Sequence, residues 1–189
     1  MRLSSLAFLL VALLAPAIAA ADPGQPPLAG GTVEVGLGAT GSQWTSGDGS
    51  IAESNLGGAS ANLAIGHFVG ERAVFAMRAA VTWYDSGNVH TSVFGLVGPA
   101  AQYWIDDRLF VGATAGIAFD HVVSLDRVSD LGPGLELRAG YTVFREGHHA
   151  VHLSVAGTYG YYAVGVGAYT AGLGGDSRSL ALQIGWQYL

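Results

Sequence analysis

The chain has no cysteine among its 189 residues. That excludes a disulfide framework and a lipid-modified cysteine. It has no lysine either: all eight basic residues are arginines, set against fourteen carboxylates. An acidic chain without a basic patch argues against a nucleic-acid partner. Glycine runs such as Gly172-Leu173-Gly174-Gly175 are followed by no lysine and no helical pattern, so they are loop residues rather than a phosphate cradle. No apolar run reaches the ~20 residues that a membrane helix needs. The run from Leu6 to Leu14 follows Arg2 and precedes the small residues Ala17-Ile18-Ala19 and Ala19-Ala20-Ala21. This is the layout of a cleaved export signal over residues 1–21. A short linker follows over residues 22–31, and residues 32–189 are of a length for one domain.

What the chain does have is glycine, 29 residues, about twice the usual share. It also has alternation. From Ser179 to Leu189, the positions Leu180, Leu182, Ile184, Trp186 and Tyr188 are large and apolar. Between them lie Ser179, Ala181, Gln183, Gly185 and Gln187. A period of two puts the first set on one face of a strand and the second on the other.

Seven more segments read the same way: Thr32–Thr40, Ala59–Val69, Arg72–Tyr84, Thr91–Trp104, Leu109–Asp120, Leu135–Phe144 and Ala150–Tyr162. The fourth is the least regular, and Pro99 inside it predicts a bulge or a break. Connections alternate between short turns and longer stretches, the latter at Gly41–Gly58, Asp85–His90, His121–Gly134 and Ala163–Arg178. Short turns on one rim and long loops on the other are a habit of transmembrane barrels. A sheet with one apolar face toward lipid must close, because bare amides there cost several kcal/mol each. The expected fold is all-β: a closed eight-stranded antiparallel up-and-down transmembrane barrel.

Aromatic residues gather near the strand ends and predict a girdle of Trp83, Tyr84, Tyr103, Tyr159, Tyr161, Trp186 and Tyr188. The predicted inward charges are Glu34, Arg72, Arg78, Glu136 and Arg138, which should pair with one another in a lumen network.

On these residues the chain resembles the small outer-membrane barrel proteins of Gram-negative bacteria, of the OmpX, opacity and OmpA-barrel type. The resemblance implies the outer membrane, contact with its lipid and lipopolysaccharide, and delivery by the barrel-assembly machinery through the C-terminal strand. Members usually end on an aromatic residue. Here the aromatic face ends at Tyr188, one before Leu189, which implies a one-residue offset in that signal. The resemblance also implies a structural, adhesive or host-interacting role.

Other constellations point elsewhere. His152-Leu153-Ser154 resembles part of the His-x-Ser motif of lipid A deacylases, since residues two apart share a strand face. The Asn-Ala that follows in that family is Val155-Ala156 here. His148, His149 and His152 suggest metal ligation, but His148 and His152 would lie roughly 13 Å apart along a strand. Small inward residues such as Gly36, Gly38, Gly112 and Gly116 suggest a narrow small-solute pore. The acidic loop residues Asp48, Glu53, Asp85, Asp120, Asp126, Asp130 and Asp176, with Arg127 and Arg178, could share the divalent cations and phosphates of lipopolysaccharide. A soluble lipocalin-like barrel would need a polar outer face. The leading expectation is a monomer without cofactor or metal, making external contacts through loops 41–58 and 163–178. A lipid A-modifying enzyme using His152 and Ser154, or the pore, is the alternative.

Overall fold

The computed structural model describes residues 30–46, 52–85, 91–122, 127–162 and 175–189. The expected signal over 1–21 lies outside the described residues, as does the linker as far as residue 29. Eight strands follow in order: β1 Gly31–Ser46, β2 Ala52–Phe68, β3 Ala73–Asp85, β4 Thr91–Trp104, β5 Leu109–Val122, β6 Arg127–Glu146, β7 His149–Tyr162 and β8 Gly175–Tyr188. Each pairs antiparallel with the next, and β8 returns to β1, from Val33↔Tyr188 to Ser46↔Gly175. The sheet is a closed up-and-down barrel without a free edge.

Several strands run further toward the loop end than the apolar pattern predicts. β1 goes on past Thr40 to Ser46, β2 begins at Ala52, β6 at Arg127 and β8 at Gly175. The added residues are polar, as in the pairs Ser42↔Ser179, Gln43↔Arg178 and Thr45↔Asp176. Backbone hydrogen bonds do not need apolar side chains, so the ladder continues where the alternation of hydrophobicity stops. Most of the first expected contact loop, 41–46 and 52–58, is therefore strand, as are residues 175–178 of the second. Residues 47–51 and 163–174 lie outside the described residues.

β4 is continuous through Pro99. Its β3 ladder passes Met77↔Pro99 without a shift. The β5 ladder lapses only over Gly98 and Pro99 and keeps one register from Val97↔Ile117 to Ala100↔Thr114. Of the expected bulge or break, no bulge forms, because the φ of proline suits a strand, and the forfeited donor leaves only that local lapse in the β5 ladder. The register shifts fall instead at Thr40/Ser42, Asp120/His121 and Thr142/Phe144.

The short turns supply their own chemistry. Gly70 and Gly147 take positive φ, 105° and 55°, a region that residues with a Cβ rarely enter. In the β4–β5 turn the Asp106 carboxylate accepts the N–H groups of Arg108 and Leu109 at 2.8 and 2.7 Å.

Candidate functional site

The strands sort their side chains as the alternation predicts. On β8, Leu180, Leu182, Trp186 and Tyr188 are exposed on the outside, while Ser179, Ala181, Gln183 and Gln187 are buried within. The same holds for Leu63 and Ile65 on β2, Val111 and Ile117 on β5, and Leu153 and Val155 on β7. The bulky set faces outward, the arrangement of a lipid-facing belt.

Six of the seven expected girdle residues stand on that outer face: Trp83, Tyr103, Tyr159, Tyr161, Trp186 and Tyr188. Tyr84 does not. It is buried in the lumen, 8 % exposed, with its hydroxyl 3.4 Å from Asp120 Oδ2. Trp83 faces out, so the next residue must face in. Parity also turns Phe68, Trp104 and Phe110 inward. With Val74, Ala150 and Leu189 they pack as an apolar cluster inside the turn end. Phe75 and Tyr141 stand outside near that end, where the Tyr141 hydroxyl accepts from Arg108 Nη1 at 2.9 Å.

Midway along the lumen sits the charge network. Arg138 Nη2 donates to Glu34 Oε2 at 2.7 Å, and its Nη1 to Oε1. Arg78 Nη1 reaches Glu34 Oε1 at 2.9 Å, while its Nε reaches Glu136 Oε1 at 2.7 Å. Asn62 accepts from Arg78 and donates to Gln183, and Gln102 accepts from Arg138. Two carboxylates thus face two guanidinium groups in a shell of amides and hydroxyls, each nearly water-free. Such a cluster survives burial because the charges cancel and the lone pairs are filled. Arg72, the fifth expected member, is absent from it. It is exposed in the β2–β3 turn and donates to the Ile105 carbonyl at 3.2 Å. Its parity is inward, but it precedes β3 and lies outside the barrel's reach.

His152 and Ser154 are both buried on the lumen side of β7. The His152 ring stands edge-on to Phe110 at 5.1 Å and its Nε2 lies 3.6 Å from Glu34 Oε1. A carboxylate thus sits near the histidine, which sequence alone did not reveal. That carboxylate is already held by two arginines, and the pair faces the lumen rather than the outer surface. His148 and His149 stand outside instead, stacked on Tyr188 and Trp186 at 5.5 and 5.6 Å. The three histidines do not converge, and no cluster of three metal-ligating residues occurs among the described residues.

Among the described residues, the small inward glycines do not open a channel. A side chain at Gly36 would strike the Asn62 amide, and one at Gly185 the His152 ring. The glycines are room for their neighbours. The free space beside Glu34, Arg78 and Gln102 is a cavity of ≈ 10 Å³, about one water's worth. Toward the loop end Tyr84, Phe94, Leu96, Ala118 and Tyr162 form a second apolar cluster. Asp120 and Asp130, expected in solvated loops, lie opposite each other in the β5–β6 ladder and are buried. Ser177 Oγ donates to Asp120 Oδ2 at 2.9 Å.

No protein-family model matches the chain, and no curated protein matches its sequence. Solved structures do. Neisserial surface protein A superposes with a TM-score of 0.55 at 15% identity, over 84% of this chain and 96% of that one. Ail, the attachment invasion locus protein of Yersinia pestis, does so with a TM-score of 0.51 at 13% identity, over 85% and 100%. The outer membrane protein OprG from Pseudomonas aeruginosa is matched with a TM-score of 0.47 at 12% identity, over 86% and 97%. Likeness at such identities is likeness of fold: this chain is a closed eight-stranded barrel with the architecture of the small outer-membrane β-barrels.

Proposed function

We propose that the chain is exported, inserts in the outer membrane as a monomeric barrel, and serves there as a structural or surface-interaction protein. The observation that carries this reading is the division of faces. A continuous apolar exterior with aromatics near both rims meets a lumen filled by ion pairs and two apolar clusters. A belt of that kind is stable only in lipid. The filled lumen favours a scaffold over a conduit. The roles carried in the names of the surface protein and the attachment protein above support external contact as the task of the loop end. The barrel-assembly machinery would read the outward Trp186 and Tyr188 of β8, with Leu189 turned inward. Buried inside, His152 and Ser154 serve packing and the charge network in this reading.

The test is fractionation of a cell expressing the full chain. Floatation with the outer membrane and heat-modifiable mobility on gels are expected. A mature chain dissolved in the periplasm would overturn the proposal. Replacing residues 47–51 and 163–174 by short Gly-Ser turns should leave assembly intact and abolish surface contacts.

A further inference from the structure

Arg78 is 1 % exposed, and part of its guanidinium has nothing to bind. Its Nε donates to Glu136 Oε1 at 2.7 Å. Its Nη1 donates to Glu34 Oε1 at 2.9 Å and to Asn62 Oδ1 at 3.0 Å. Its Nη2 is buried and meets no acceptor among the described residues. A buried charged donor without an acceptor is costly, and a native fold supplies one.

A cavity of ≈ 10 Å³ adjoins this side chain, with Thr32, Glu34, Gln102, Arg138 and Gln187 also on its wall. That volume holds one water. The space exists because the inward residues at this level of β2, β3 and β4 are short: Ala64, Ala76 and Ala100 complete the lining. Two oxygens on the wall have room for a further bond. Glu34 Oε2 takes Arg138 Nη2 alone, at 2.7 Å, and Gln187 Oε1 takes Gln102 Nε2 alone, at 3.3 Å. A carboxylate or amide oxygen accepts through two lone pairs. An orphaned donor and two half-used acceptors thus line one water-sized space.

We propose that this cavity is a binding site for a single water molecule, which is a fixed member of the charge network. The water accepts from Arg78 Nη2 and gives its own hydrogens to Glu34 Oε2 and Gln187 Oε1. Other small ligands fail on charge. A halide only accepts, and it would stand against the Glu34 carboxylate. A sodium or ammonium ion would stand against the guanidinium groups of Arg78 and Arg138. Glu34 and Glu136 already balance Arg78 and Arg138. A neutral ligand preserves that balance, whereas an ion adds an uncompensated buried charge. The site lies wholly in the lumen, so it stands whichever surface role the loops take.

The test is a high-resolution crystal structure of the full-length barrel purified in a neutral detergent. Parallel crystals are soaked in sodium bromide and in rubidium chloride. One fully occupied peak is expected within hydrogen-bond reach of Arg78 Nη2, Glu34 Oε2 and Gln187 Oε1, with no anomalous signal from either ion there. Bromide or rubidium at that place would make it an ion site and overturn the proposal. A cavity without density would overturn it equally. Gln187→Met keeps the length of the side chain and removes its acceptor, so the peak should lose at least half its occupancy. Full occupancy in that variant would overturn the assigned partners. The wild-type crystal decides the proposal even where the variant does not fold.

Discussion

Arg138 on β6 and Glu34 on β1 meet across the lumen through a two-point contact, Nη2 to Oε2 at 2.7 Å and Nη1 to Oε1. They lie 104 residues apart in the chain. Glu34 also takes Arg78, so one carboxylate holds two cations. Replacing Glu34 by Gln removes the charge and leaves both guanidinium groups with a buried excess. The expected loss is about 3–5 kcal/mol, read by urea unfolding from lipid vesicles. Glu34→Leu combined with Arg138→Leu should cost less than the sum of the two single changes. Additive losses would mean that the pair is not coupled.

Gly185 exists for His152. A Cβ there would strike the imidazole, which cannot retreat because Phe110 stands 5.1 Å away and Glu34 3.6 Å from its Nε2. Gly185→Ala should destabilise by about 1–3 kcal/mol through overpacking. His152→Ala in the same chain should recover most of that loss. A double variant as weak as the sum of its parts would remove the steric account.

Leu182 points outward from the middle of β8 and is 65 % exposed, beside Ala39 and Val155. If lipid covers it, Leu182→Arg costs about 2–4 kcal/mol. A neutral outcome in folding assays on vesicles would place that face in water.

The β4–β5 turn carries a pH-dependent contribution. The N–H of Leu109, then that of Arg108, holds the Asp106 carboxyl below its ordinary value, with Arg72 and Arg108 adding their charge. A folded pKa lower than the unfolded one means stability that is whole above the unfolded value of 3.8 and is lost as pH falls through the depressed one. Thermal melts of wild type and Asp106→Ala should differ by a constant amount down to about pH 5 and converge below about pH 4. A gap that persists at the acid end would point to something other than the carboxylate's charge.

Apolar clusters at two levels and ion pairs between them leave the lumen no continuous path among the described residues. The wild type is therefore expected to be silent in a planar bilayer. Reproducible single-channel steps would revive the pore.

Parity was the legible part. Alternation named the outward and inward sets of most strands, and within it Glu34, Arg78, Glu136 and Arg138 were legible as inward charges. Where the expected facing of a side chain failed, it failed at strand ends. Tyr84 was grouped with Trp83 by its position near the rim, although adjacent residues must face opposite ways. Arg72 has inward parity, but parity orients a side chain only inside a strand, and this residue belongs to a turn. Asp120 and Asp130 looked like loop residues because polar positions hide the continuation of β5 and β6 from any hydrophobic pattern.

The amino-acid sequence by itself determined the number of strands, the face that each side chain takes, and the closure of the sheet. Those follow from local geometry, since a period of two and an apolar face leave few other solutions. Only the tertiary structure decided which inward groups meet. The stagger between neighbouring strands accumulates around the barrel and sets the height of every residue in the lumen. That is why Arg138 lands on Glu34, while the register of single ladders puts Asn62 over Gly36 and His152 over Gly185. Side-chain alternation carries no information about height, so the last two meetings need the register of neighbouring strands, and Arg138 meets Glu34 only once β8 has closed on β1.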